Sequence, residues 1–138
     1  MKISTKGRYG TRALVDIGQN YGKGPVSLRG LAERQGISVK YMEQIVALLK
    51  GSGLIRSSRG AHGGYILAKR PQDILLRHIL EALEGSSSVV DCLDDNGLCA
   101  RAKECVTYEI WNEIQTAINK ILDSTTLADI IQRNRKKR

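Results

Sequence analysis

The sequence has no phenylalanine and a single tryptophan, so any core it builds must be aliphatic, made from Ile, Leu, Val and Ala. No apolar run approaches the ~18 residues of a membrane span, which excludes a membrane protein of the helical kind and predicts no membrane partner. The start, Met1-Lys-Ile-Ser-Thr-Lys-Gly-Arg8, is basic but lacks the apolar stretch of a secretory signal. A cytoplasmic location is therefore expected, where thiols stay reduced. Histidine is scarce: His62 and His78 stand far apart, and no Ser/His/Asp set or carboxylate pair accompanies them. The chain thus has no catalytic constellation, and neither an enzyme nor a small-molecule substrate is expected. Cysteines number three, and an odd count argues against a disulfide framework. At 138 residues the chain is one domain with at most an appended element.

What is present begins with charge, and the net +8 conceals a strong asymmetry. Residues 1–80 carry 14 Lys/Arg against 4 Asp/Glu, a balance of +10. Residues 81–130 carry 3 against 10, a balance of −7, and residues 131–138 add 5 Lys/Arg and no acid. Positive charge segregated into the first half is the electrostatic footprint of a nucleic-acid-binding half, although a solvated basic surface would carry the same count.

Hydrophobic spacing places elements along that half. Residues 4–21 read as a helix, with Tyr9, Ala13, Ile17 and Tyr21 recurring every four positions beside Leu14. Gly22, Gly24 and Pro25 end it. Ser27 can cap a second, short helix with Leu28, Leu31 and Ala32 inward, closed by Gly36. Ile37 fills the turn, and Ser38 can cap a third helix in which Met42, Ile45, Val46 and Leu49 follow i, i+3, i+4, i+7. Gly51 and Gly53 stop it. The pattern predicts a helix-turn-helix whose second helix keeps a polar face free. Two β-prone arms, around Ile55 and around Tyr65–Leu67, then flank a glycine-rich tip and predict a hairpin wing. Gly60, Gly63 and Gly64 supply unusual backbone angles and permit close backbone approach.

After Arg70-Pro71, a fourth helix carries Leu76, Ile79, Leu80 and Leu83 and closes at Gly85. All three cysteines then fall in one stretch without apolar periodicity, Cys92, Cys99 and Cys105, spaced C-x6-C-x5-C. Thiolates gathered on a loop bind soft metal, cross-link or react with oxidants. A long helix runs from about Glu104 to about Asp123 with two interleaved apolar stripes, 110-114-117-121 and 111-114-118-121. That band is wider than one contact face needs, which predicts packing both on its own domain and on a second copy, a homodimer. A short helix, Thr126–Ile131, leads to a basic tail expected to be disordered. The fold class is therefore mainly α: a winged helix-turn-helix domain over residues 1–84, a cysteine loop over 85–104, a dimerisation helix and final short helix over 105–132, and a basic tail over 133–138.

In such a module the N-terminal residues of the third helix reach base edges in the major groove. Lys40, Tyr41, Glu43 and Gln44 occupy that position, Gln suiting adenine and Glu suiting the cytosine amino group. Tyr41 and Ser38 suit phosphate, as does the cation Arg8. Arg59 at the wing tip suits minor-groove insertion, within a turn formed with Gly60, His62 and Gly63. His62 is a polar contact or a solvated loop residue there, and His78 a surface or interface residue. The partner implied is double-stranded DNA.

Several segments together carry a family resemblance: Met1-Lys-Ile-Ser-Thr-Lys-Gly-Arg-Tyr9, Arg34-Gln-Gly-Ile-Ser38, Tyr41-Met-Glu-Gln44, Arg59-Gly-Ala-His-Gly-Gly-Tyr65, the three cysteines, and Ser124-Thr-Thr-Leu-Ala-Asp-Ile130. Across nearly its whole length the chain resembles the IscR/NsrR/CymR family of winged-helix repressors, and most of all its iron–sulfur-responsive branch. The resemblance implies a homodimer that swaps the long helix, a palindromic operator, and a cluster, 2Fe–2S in that branch, held by Cys92, Cys99 and Cys105. It implies a regulator, mainly a repressor, of iron–sulfur cluster biogenesis genes. In that branch the fourth ligand is a His three residues after the last Cys, and here that residue is Tyr108. A phenol, with an ordinary pKa of ~10, is a poor cluster ligand. In another branch a carboxylate of the partner's first helix completes the site, and here the matching residue is Arg8, which cannot ligate. Three alternatives stand beside this reading: structural zinc on the same thiolates, a thiol- or partner-sensing regulator of sulfur and cysteine metabolism as the CymR branch suggests, and an iron–sulfur carrier without a DNA role. The basic first half and the wing argue against the carrier.

Overall fold

The computed structural model describes residues 2–86, 88–89, 93 and 104–137. Its order is α1 (Thr5–Gln19), α2 (Leu28–Gln35), α3 (Val39–Gly51), β1 (Ile55–Ser58), β2 (Gly64–Leu67), a 3₁₀ turn (Pro71–Asp73), α4 (Leu76–Glu84), α5 (Val106–Ser124) and α6 (Leu127–Lys136). The protein is mainly helical with one two-stranded antiparallel sheet.

Three serines start the first three helices. Ser4, Ser27 and Ser38 each accept, through the side chain, the backbone N–H three residues on, at 3.0 to 3.1 Å. Those amides would otherwise have no partner in the first turn. The apolar spacing buries the expected faces: Ala13, Leu14 and Ile17 of α1, Leu31 and Ala32 of α2, and Met42, Ile45, Val46 and Leu49 of α3. Each fully buried Leu or Ile contributes about 1.5–3 kcal/mol, so these helices form one aliphatic nucleus without phenylalanine. Gly36 closes α2 at φ 68°, a left-handed turn that lets α3 start at an angle to α2. At its rim Arg34 pairs bidentately with the nearly buried Asp16, at 2.6 and 3.1 Å, tying α2 to α1.

The wing follows directly. Ile55 pairs with Leu67 and Ser58 with Gly64. Val26 bridges Tyr65 through reciprocal backbone hydrogen bonds of 2.9 and 2.8 Å, so the hairpin base is seated on the domain. Beyond the wing, α4 packs on α1 and α3, and the joint between α5 and α6 is pinned to its start. Leu76 N–H donates to the Thr125 carbonyl and Leu127 N–H to the Ile74 carbonyl, both at 2.8 Å. Leu127 and Ile131 of α6 are buried, close over Gly18.

Three expectations need correction. Tyr21 does not complete the inward stripe of α1: the helix ends at Gln19 and the residue is 49 % exposed. The last helix does not stop at Ile131; it continues to Lys136. A reciprocal Thr126–Asp129 cap starts it, and Arg133, Arg135 and Lys136 favour its negative C-terminal end, so the predicted tail is largely helix. On α5, the side facing its own domain is Gln115 and Leu122, with Ile118 and Asn119 half-buried. Most of the predicted apolar stripe points away, and Val106, Ile110, Trp111, Ile114 and Ile121 are 38 to 68 % exposed.

Candidate nucleic-acid interface and cysteine site

Recognition-helix geometry follows from the cap at Ser38. That cap leaves Lys40, Glu43 and Gln44 exposed in the first turns of α3, while Met42 and Ile45 hold the opposite face in the core. Tyr41 departs from the expected outward position. It is half-buried, with its ring edge-on to Tyr9 of α1 at 6.4 Å between centroids. Arg12 lies over the Tyr9 ring at 5.5 Å. Ser38 itself is spent as a cap and holds α3 rather than standing free. Arg8 is exposed on α1. Arg12 was missed in the sequence, though its position three residues after Tyr9 puts both on one helical face.

The wing tip presents Arg59, Gly60 and His62 to solvent, with Gly63 half-buried beneath them. Only Gly60 of the tip glycines has positive φ, at 118°. Gly63 and Gly64 serve the other expected purpose, close approach: a Cβ there would meet the Ser58 carbonyl oxygen at 2.4 Å and the Val26 carbonyl oxygen at 2.3 Å. The turn thus carries Arg59, exposed, at the end of a two-stranded hairpin.

Cys105 is half-buried at the N-cap of α5, its sulfur 3.0 Å from the Thr107 hydroxyl. Cys92 and Cys99 lie outside the described residues. Tyr108, in the first turn of α5, is half-buried. Among the described residues no three metal-binding side chains gather, and only one of the three cysteines is in that set. The donor chemistry still fits a soft metal group, because all three thiols belong to one short connection between α4 and α5.

That connection is anchored where it leaves α4. Val89 N–H donates to Gln115 Oε1 of α5 at 2.7 Å, and Gln115, 8 % exposed, donates to Asn119 Oδ1 at 2.9 Å. Arg77 of α4 grips Asn119 at 3.0 Å and Asp123 through two hydrogen bonds. The hydrogen bond from Arg77 holds the Asp123 carboxyl below the usual carboxylate range, and the same bond raises Arg77. On the α4 side, Glu84 Oε1 accepts from both Ser4 N–H, 2.7 Å, and Ser4 Oγ, 2.5 Å, at the start of α1. A contiguous path therefore runs from the cysteine connection through Glu84 and Ser4 into α1, and through Tyr9 to Tyr41 on α3. His62 and His78 take no part in it; His78 Nδ1 accepts from Leu75 N–H at the start of α4.

Residues 3–133 match the Rrf2 family model, described as an iron-dependent transcriptional regulator. The chain is 43 % identical over 132 residues to the Rrf2 protein of Nitratidesulfovibrio vulgaris, covering 96 % of this chain and 88 % of that one. Among solved structures it is similar to T. potens IscR, with a TM-score of 0.79 and 43 % identity over 97 % of this chain and 88 % of the other. It is also similar to CymR, the global cysteine regulator of B. subtilis, with a TM-score of 0.78 and 39 % identity over 96 % and 98 % of the two chains.

Proposed function

From the premise that the chain belongs to the Rrf2 family of transcriptional regulators, DNA-binding proteins rather than enzymes, we propose that it binds a palindromic duplex operator as a homodimer and that an iron–sulfur cluster on Cys92, Cys99 and Cys105 controls that binding. On this reading it acts in the cytoplasm, mainly as a repressor of genes for cluster assembly. The observation that carries the control step is the Glu84–Ser4 contact at the end of the cysteine connection. Such a cluster, 2Fe–2S by resemblance, would supply reversible ligation to thiolates, so that its presence follows iron supply and oxidants. The protein's own residues do the rest. Cys105 at the N-cap of α5 and Glu84 at the end of α4 bound the connection, so ordering it restrains both helices. Glu84 then holds the start of α1, and Tyr9 supports Tyr41 behind the exposed edge of α3. Lys40, Glu43 and Gln44 read the major groove; Arg59, with Gly60, His62 and Gly63, enters the minor groove; Arg8 and Ser38 flank the phosphates. Solvent or a carboxylate would be left to complete such a cluster, because the Tyr108 phenol is a poor ligand at neutral pH and Arg8 is a cation.

Similarity to the B. subtilis global cysteine regulator favours a second reading, in which the same thiols respond to oxidation or to a partner and no cluster is bound. Anaerobic reconstitution of the wild type, Cys92→Ala, Cys99→Ala, Cys105→Ala and Tyr108→Phe separates the two. The expected result is visible charge-transfer absorption with matched iron and sulfide in the wild type and Tyr108→Phe, its loss in each cysteine variant, and a change of operator affinity that tracks it. A colourless wild type whose DNA binding changes on thiol oxidation would establish the second reading, and stoichiometric zinc would defeat both.

A further inference from the structure

We propose that a cationic face at the root of the wing docks the phosphate backbone of duplex DNA outside the operator half-site, a contact beyond those of α3 and the wing tip. The inference rests on the reading that the chain binds duplex DNA. Two clefts meet at the exposed Tyr21. One is bordered by Lys23, Pro71 and Arg135, the other by Arg56, Lys69 and Arg70. All five cations are exposed. The one acid in the lining, Asp73, is held by Arg70 through hydrogen bonds of 2.8 and 3.3 Å. Among the described residues, Lys23, Arg56, Lys69 and Arg135 pair with no carboxylate. Four segments distant in sequence thus place unneutralised positive charge around one aromatic ring.

Continuity with the wing selects the partner. Arg56 is on β1, opposite Ile66, and Arg59 follows at the tip of the same hairpin. Three extended residues span about 10 Å, and a minor groove is about 6 Å wide. With Arg59 in the groove, the backbone bordering it passes within reach of Arg56, and Lys69, Lys23 and Arg135 continue the positive surface away from the tip. A tyrosine hydroxyl and lysine or arginine side chains are donors that proteins use on phosphate oxygens. Contacts of this kind add affinity and salt dependence without reading sequence.

The test uses the full chain and a palindrome that the wild type selects from a randomised duplex pool. One duplex ends at the half-site edges; the other adds one helical turn, about 10 bp, on each side. The wild type is expected to bind the longer duplex at least tenfold more tightly, with a steeper salt slope. In Lys23→Gln/Lys69→Gln/Arg135→Gln the length advantage disappears and the slope on the longer duplex falls by about 0.9 for each phosphate no longer neutralised, while binding to the short duplex is unchanged. Arg135→Gln alone is expected to remove part of the same advantage. Arg59→Ala weakens both duplexes equally, which separates this face from the tip. Equal wild-type affinity for the two lengths, or a triple variant that keeps the length advantage, overturns the proposal and leaves the operator reading intact. Binding of a fluorescent poly-glutamate peptide that the triple variant loses, without any length effect, would reassign the face to an acidic protein and overturn the proposal too. Failure to select any duplex would sink both readings.

Discussion

At the scale of residues, the two ends of the proposed DNA surface carry opposite charge, and this separates their roles. Arg59 is a cation on a narrow, exposed turn; Glu43 is an exposed carboxylate on the recognition helix. Arg59→Ala is expected to weaken every good operator and flatten the salt dependence. Glu43→Ala is expected to relax base discrimination and to tighten binding to poor sites, with each base-edge hydrogen bond worth roughly 1–3 kcal/mol. Gel-shift titrations on matched and mismatched duplexes check this, and equal losses across all sites for both variants would show the roles misassigned. Glu43 was legible in the sequence because polar side chains within an apolar i, i+3, i+4 frame have one direction to point. Tyr41 was not, because its neighbour Tyr9 is distant in the chain and only packing brings the rings together.

Among the elements, α4 and α5 are joined by Arg77 on Asn119 and Asp123, next to the cysteine connection. Asp123 has its carboxyl lowered by that guanidinium, so the folded state binds its proton less readily than the unfolded chain does. The pair's stabilisation is therefore complete at neutral pH and is lost as pH falls below the ordinary carboxylate range and through the lowered value. Thermal midpoints of the wild type and Asp123→Asn are expected to differ at pH 7 and to converge towards pH 3; a constant gap would show that the charge is immaterial. Because Asp123 is solvent-exposed, the effect shrinks with added salt. Helix identities and the caps Ser27 and Ser38 were legible, since caps and periodicity are local. The extent of α6 was less so: a run of Arg and Lys resembles a solvated tail unless its favourable place at a helix C-terminus is weighed.

For the whole molecule, the outward face of α5 is the feature with the largest consequence. Val106, Ile110, Trp111, Ile114 and Ile121 form an apolar band that this chain's own domain leaves uncovered. A second copy covering it would give the two-fold symmetry that a palindrome with half-sites about 10 bp apart, or a multiple of that, requires. Trp111 is the sole tryptophan, so its fluorescence reports this face without labelling. Ile114→Glu is expected to sediment as a monomer, to red-shift Trp111 emission and to lose high-affinity operator binding. A dimeric Ile114→Glu with unchanged emission would remove α5 as the interface.

The sequence by itself determined the helix-turn-helix, the hairpin wing, the aliphatic core and the grouping of thiols between two helices. Each of these depends on residues near one another in the chain: a serine before an apolar repeat, glycines at a tip, cysteines in one connection. Tertiary structure alone decided which face of α5 stays open, that Glu84 holds Ser4, that Tyr21 lies outside the core, and that Lys23, Arg56, Lys69 and Arg135 share a surface. Periodicity shows that a helix has an apolar side but not what covers it, and charge counts do not show which cations become neighbours. Those outcomes depend on crossing angles and on close approaches such as α6 over Gly18, which arise only when the elements pack.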